Sequence, residues 1–144
     1  MTVRSFAKIN LGLEIVARRP DGYHDIRTLF QTISLADELT VEPAPDGVFD
    51  LAGDDPSIAW DGTNLVDRAA RRLRQASGTS RGATIAVRKT VPAGRGLGGG
   101  SSNAAATLLA LDRLWGLGLG PARLAPLARE LGADVPFFLK GGLC

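Results

Sequence analysis

The stretch that most constrains this chain is residues 92–103, Pro92-Ala93-Gly94-Arg95-Gly96-Leu97-Gly98-Gly99-Gly100-Ser101-Ser102-Asn103. Five of the seven residues from Gly94 to Gly100 are glycine. Before it, residues 83–89 alternate Ile85 and Val87 against Thr84, Ala86 and Arg88, the period of a strand. After it, residues 104–115 are rich in alanine and leucine at helical spacing. The order is therefore strand, glycine loop, helix. A loop without Cβ atoms turns its N–H groups toward one point and admits a ligand closely. The helix behind it adds unpaired N–H groups and the positive end of its dipole. Together these make an anion site, and phosphate is its usual occupant.

Two other readings of the glycines fit less well. A Walker A loop needs Gly-Lys-Ser/Thr, which is absent here. Gly94-x-Gly96-x-x-Gly99 matches the dinucleotide pattern literally. That fold also needs a second strand after the helix, ending in an acidic residue about 20 positions on. Here Asp112 falls inside the helical run, and a glycine-rich turn and another helix follow. A plain surface turn gives no reason for Ser101 and Ser102 at a helix start.

The flanking chain reads as mixed strand and helix. In residues 9–16, Ile9, Leu11, Leu13 and Ile15 alternate with Asn10, Gly12 and Glu14, as in a half-buried strand. Lys8 and Asn10 lie opposite the apolar set and read, on pattern alone, as solvated polar residues. Pro20-Asp21-Gly22 is a turn in which proline fixes φ and glycine accepts a positive φ. Tyr23 and His24, the single histidine, follow it; by themselves they read as ordinary packed or surface residues. Further strands are expected at 26–33 and 39–42, separated by Ala36-Asp37-Glu38. A turn at 43–47, a short strand at 49–52 and a loop at 53–62 come next.

Residues 64–76 form a predicted helix with Leu65, Val66, Ala69, Ala70 and Leu73 inward, and Arg68, Arg71, Arg72 and Gln75 toward water. Thr63 or Asn64 suits its N-cap. A last long helix is expected at 121–131, with Pro121 in its first turn and Gly132 as its stop. Pro126 fits badly there, because it removes an interior hydrogen bond; it implies a kink or a later start. Asp134 precedes Val135-Pro136 and reads as the cap of a short helix at 136–139, unless its carboxylate has another partner.

At 144 residues the chain is one domain's worth, with room for a real core. A net charge of +2, evenly spread, is too mild to argue for nucleic acid. One cysteine, Cys144, allows no disulfide within the chain and fits a reducing compartment. No apolar run reaches the roughly 18 residues of a membrane helix, and residues 1–6 show no signal-peptide core. These features together lead us to expect a cytoplasmic protein without membrane attachment. They are silent on oligomeric state.

Four blocks in order carry a family resemblance: Ala7-Lys8-Ile9-Asn10-Leu11, Arg19-Pro20-Asp21-Gly22-Tyr23-His24, the glycine loop, and Leu131-Gly132-Ala133-Asp134-Val135-Pro136-Phe137-Phe138. The chain resembles the GHMP kinases, whose ATP loop reads Pro, a short spacer, Gly-Leu-Gly, then Ser-Ser. The extra glycines look like the branch that phosphorylates a cytidine diphosphate-linked methylerythritol in non-mevalonate isoprenoid biosynthesis.

The resemblance implies an α+β fold, a mostly antiparallel sheet backed by helices and similar to domain 2 of ribosomal protein S5. It implies ATP as phosphoryl donor, with Mg²⁺ accompanying it, and a loop of residues Pro92 to Ser102 holding the phosphates. It assigns Lys8 and Asp134 as the catalytic pair and Asn10, Tyr23 and His24 as substrate-binding residues, the tyrosine ring stacking on cytosine. It makes residues 1–144 an N-terminal, ATP-binding domain whose C-terminal partner domain is missing. Two alternatives stay open on the sequence: a nucleotide-binding half without turnover, and a dinucleotide-dependent oxidoreductase.

Overall fold

The computed structural model describes residues 1–18 and 24–143, and the side chains of 13–18 and 24–27 are not considered. Four strands form one sheet: β1 (Thr2–Arg18), β2 (His24–Ala44), β3 (Phe49–Gly53) and β4 (Gly82–Arg88). Their order is β1-β2-β4-β3. β1 and β2 form a long antiparallel hairpin, from Thr2↔Thr40 to Arg18↔His24. β4 pairs antiparallel with β2, while the short β3 runs parallel to β4. The sheet is thus mostly antiparallel and helix-backed, as expected.

The helices are α1 (Leu65–Ser77), α2 (Gly99–Leu114), α3 (Gly120–Leu131) and α4 (Val135–Phe138). One apolar core joins them to the sheet. Leu39, Val41, Ile85 and Val87 meet Val66, Ala69 and Leu73 of α1, Leu108 and Leu111 of α2, and Leu124 and Ala128 of α3. The α1 stripe predicted from its period is the buried one, and Asn64 caps the helix by accepting from the Val66 N–H at 2.9 Å. Thr63 instead donates its hydroxyl to Asp61.

Three expectations about element bounds are corrected. The strands expected at 26–33 and 39–42 are one continuous β2, and Asp37 does not break it. Ser5↔Asp37 and Phe6↔Ala36 remain in the ladder, and Asp37, Leu39 and Val41 all turn inward at period two. Helix α2 begins at Gly99, not Ala104, because Gly98 turns the chain at φ 71° and the packing of Ser102 and Asn103 outweighs the poor helix propensity of the glycines. Helix α3 runs through Pro126, which leaves the Ala122 carbonyl without its helical N–H. The start of α3 is secured from outside: the Asp112 carboxylate accepts from the N–H groups of Leu119 and Gly120 at 2.9 and 3.0 Å. Asp112 is therefore a cap and not the acid of a dinucleotide fold.

Candidate functional site

β4 ends at Arg88, and the chain crosses to α2 through the glycine loop. The start of the loop is pinned by Asp37, fully buried, whose Oδ1 accepts from the N–H groups of Thr90 (2.7 Å) and Val91 (2.8 Å). Its Oδ2 receives the Lys89 ammonium. The far end is pinned by β1, where the Lys8 N–H donates to the Leu97 carbonyl at 2.9 Å. Between these anchors Gly94, Gly96 and Gly98 take φ of 68°, 73° and 71°. At Gly98 a Cβ would also stand 2.7 Å from the Phe138 ring and 3.1 Å from Lys8 Cγ. Only glycine lets the loop, α4 and Lys8 meet there.

Residues 92–101 line a cavity of about 440 Å³ together with Lys8, Lys89, Asn103, Asp134, Trp60, Asn64 and Leu65. The first N–H groups of α2 have no partner within the helix, by the geometry of any helix start. Ser102 is the first loop residue whose N–H is bonded back, to the Gly98 carbonyl at 2.8 Å. No side chain caps Gly98 or the start of α2.

Two loop serines have different surroundings. Ser101 lines the cavity. Ser102 is buried and lines a separate cavity bounded by Arg4, Arg113 and Lys140. Its Oγ lies 2.8 Å from Ser5 Oγ, which lies 2.7 Å from Asn103 Oδ1. One hydroxyl holds one proton, so Ser5 donates to the amide oxygen, which only accepts, and accepts from Ser102. Ser102 thus ties α2 to β1 and does not reach the loop cavity.

Lys8 is only 5% exposed, against the solvated reading its pattern gave. The ladder shifts register between Phe6 and Lys8. Beyond that point Ile9 and Leu11 turn outward, 37% and 55% exposed, and Lys8 faces the loop. Its ammonium lies 3.5 Å from Asp134 Oδ2, donates to Asn10 Oδ1 at 2.8 Å and sits 4.5 Å from the centre of the Phe30 ring. Asp134 makes no capping hydrogen bond to α4. The partner its carboxylate required is Lys8, brought from 126 positions away in sequence by the stacking of α4 on the hairpin (Phe30–Phe137 centroids 5.2 Å apart). Of the other predicted site residues, Tyr23 and the His24 side chain lie outside the described residues.

Sequence reasoning missed Asp37, Lys89 and Ser5. The inward parity of Asp37 with Leu39 and Val41 was the available signal for the first. The other two are defined only by contacts across the fold.

The arrangement offers an anion cradle beside an ammonium–carboxylate pair, which suits transfer of a phosphoryl group to a hydroxyl. Comparison with known proteins identifies the family. The model of the GHMP kinases N terminal domain matches residues 64–142. A curated relative from Chromohalobacter salexigens, named 4-diphosphocytidyl-2-C-methyl-D-erythritol kinase, is 54% identical over 135 residues, 94% of this chain and 45% of that protein. One of the same name from Symbiobacterium thermophilum is 48% identical over 96% of this chain and 49% of its own length. A crystal structure of 4-(cytidine 5'-diphospho)-2C-methyl-D-erythritol kinase superposes with a TM-score of 0.83 at 46% identity, covering 96% of this chain and 48% of the other. The chain spans about half the length of the curated relatives it matches. With the loop, the ion pair and these matches in hand, the chain belongs to the GHMP kinase family and carries its N-terminal domain.

Proposed function

We propose that residues 1–144 are the ATP-binding half of a kinase that phosphorylates the 2-hydroxyl of 4-diphosphocytidyl-2-C-methyl-D-erythritol, a step of non-mevalonate isoprenoid precursor synthesis in the cytoplasm. The observation that carries the reading is the Lys8–Asp134 pair on the wall of the glycine-loop cavity. The names of the relatives supply the substrate.

The fit to a nucleotide rests on the loop itself: glycine backbone, an uncapped helix start and a cavity of about 440 Å³. In this reading the N–H groups of Gly99, Gly100 and Ser101 hold phosphate oxygens, and the Ser101 hydroxyl adds an oxygen or a proton where needed. A magnesium ion arriving with ATP supplies further neutralisation of phosphate charge. Among the described residues no cluster of three or more His, Cys, Asp or Glu forms a metal site; Ser101 and Asp134 line the same cavity and would offer oxygen atoms to such an ion.

Asp134 takes the proton of the substrate hydroxyl as the oxygen–phosphorus bond forms, acting as general base. Lys8 keeps that carboxylate ionised and oriented, since a nearby ammonium favours the charged form. Asn10 fixes Lys8 by accepting one of its protons, and Asn10, Tyr23 and His24 bind the substrate. The Tyr23 ring gives cytosine a flat surface. Among the described residues no helix is long and apolar enough to cross a membrane.

The test is a calorimetric titration of the 144-residue chain with ATP, ADP and NAD. The reading expects ATP and ADP to bind and NAD not to. A preference for NAD, or no nucleotide binding by a folded chain, overturns it.

A further inference from the structure

Among the described residues, four ionisable side chains line the loop cavity: Lys8, Lys89, Arg95 and Asp134. Their charges are not equally available. Lys8 faces Asp134 at 3.5 Å, and Lys89 is held by the buried Asp37. Each lysine therefore spends its charge on a carboxylate of the fold. Arg95 has no ion pair or hydrogen bond among the described residues and is exposed. Among the described residues it is the one cavity cation whose charge is not already countered.

Its backbone setting is also distinctive. Gly94 and Gly96 on either side have φ of 68° and 73°, and around both the space where a Cβ would stand is open within 4 Å. A side chain between two such glycines swings without moving the anchored ends of the loop, which are fixed at Val91 and Leu97. The uncapped start of α2 lies on the same cavity. The helix offers partial positive charge in fixed positions, and Arg95 offers a full one on a movable arm. A guanidinium presents five N–H donors in a planar fork that matches two phosphate oxygens at once.

We propose that Arg95 is a specificity-determining residue of the loop: it closes over the outer phosphates of a bound nucleotide and makes the site prefer a triphosphate to a monophosphate. The proposal rests on the reading of the loop as a phosphate site. The helix start alone holds one phosphate group; the longer polyanion brings additional charge, and Arg95 is the free cation that meets it. Inorganic tripolyphosphate is then a ligand in its own right, without any base or sugar.

The experiment measures affinities of ATP, AMP and tripolyphosphate for the 144-residue chain and for Arg95→Ala and Arg95→Lys, at low and at raised salt. Urea unfolding of each variant checks the fold, and it should be unchanged because Arg95 is exposed and makes no hydrogen bond or ion pair among the described residues. Arg95→Ala is expected to weaken ATP and tripolyphosphate by about tenfold or more, the scale of losing hydrogen bonds to a charged group, and to leave AMP nearly as before. It should also lower the salt sensitivity of ATP binding, since one exposed charge pair fewer is screened. Arg95→Lys should recover part of the loss, because it restores charge without the fork. If wild type binds ATP and Arg95→Ala keeps both its ATP-to-AMP ratio and its salt response, Arg95 is only a solvated loop residue and the proposal falls, while the loop reading stands. If wild type binds none of the three ligands, both fall together.

Discussion

The carboxylate of Asp37 and the ammonium of Lys89 are paired inside the fold, the first fully buried and the second 7% exposed at its side chain. Asp37 belongs to the middle of β2 and Lys89 to the entry of the glycine loop. The pair, with the two N–H groups of Thr90 and Val91, decides where the loop begins. Removing one partner of a buried pair leaves an uncompensated charge, at about 3–5 kcal/mol. Asp37→Ala is therefore expected to lower the unfolding free energy on that scale. Asp37→Asn, which keeps an acceptor for the N–H groups, should lose less. Urea midpoints of the two variants check this ordering.

Gly98 and Gly100 separate folding from binding. Any residue with a Cβ at Gly98 meets the Phe138 ring and a positive φ, so Gly98→Ala should destabilise by about 1–3 kcal/mol, and Gly98→Val by more. Loss of nucleotide binding in either variant says little about phosphate. At Gly100 a Cβ finds only Leu65 Cδ1, at an ordinary 3.6 Å. Gly100→Ala should fold as well as wild type or slightly better, and still weaken ATP if phosphate lies against that turn. Thermal unfolding and ATP titration of the same sample separate the two effects.

Ser5→Ala tests the brace behind the loop. It removes the hydroxyl between Ser102 and Asn103, leaving buried polar atoms short of a partner at about 1–3 kcal/mol. The expected outcome is a lower urea midpoint with an unchanged slope. ATP affinity should change less than in Gly100→Ala, since Ser102 does not face the loop cavity.

Asp134→Asn tests the chemistry in a chain completed with the second half of a relative. Asp134 is 35% exposed at its side chain and caps nothing, so stability should barely move. Turnover should fall by roughly 10²-fold or more, as for loss of a general base, with ATP affinity retained. Normal turnover would reduce Asp134 to a counter-ion for Lys8.

Arg72 on α1 and Glu130 on α3 give a pH signature. The Arg72 side chain, donating to Glu130 Oε1 at 2.9 Å, holds the glutamate carboxyl below its ordinary value, against the opposing effect of burial. A depressed carboxylate stabilises the fold above its unfolded-state pKa, and that stability is lost as the pH falls through the lower folded-state value. Glu130→Gln should thus be slightly less stable than wild type near neutrality, and the gap should close in acid. Because Glu130 is exposed and Arg72 only half-buried, raised salt should shrink the gap at every pH. Chemical unfolding across pH and salt checks it.

What the sequence disclosed, it disclosed through local physics. The glycine loop, the α1 stripe and the Pro121 helix start depend on neighbours within a turn or two, and they stand where their patterns put them. The failures share a different cause. Ile9 and Leu11 looked inward because apolar alternation marks a buried face; a register shift at Phe6/Lys8 puts Lys8 inside instead and leaves Ile9, Asn10 and Leu11 exposed. Asp37 looked like a break because its three donors lie more than fifty residues away. Asp134 looked like a cap because Lys8 is adjacent only after α4 docks. Motif order identified the Lys8–Asp134 pair where periodicity pointed away from it.

β2 has two kinds of neighbourhood along its length. Residues 38–44 are flanked by β4 on one edge, and 38–40 also by β1 on the other, whereas toward His24 the ladder is to β1, with an added bridge from Gln31 to Leu143. Amide hydrogens should therefore exchange with deuterium slowly around Leu39 and Val41 and faster along the outer hairpin, which opens without disturbing the core. Lys8 pairs with Thr32, on the outer side of that divide. Its tie to the Leu97 carbonyl makes its own amide a reporter. A Lys8 amide that exchanges as slowly as the core would mark the glycine loop as the clasp that keeps the hairpin shut at the lysine, and a ligand that stiffens the loop would slow it further.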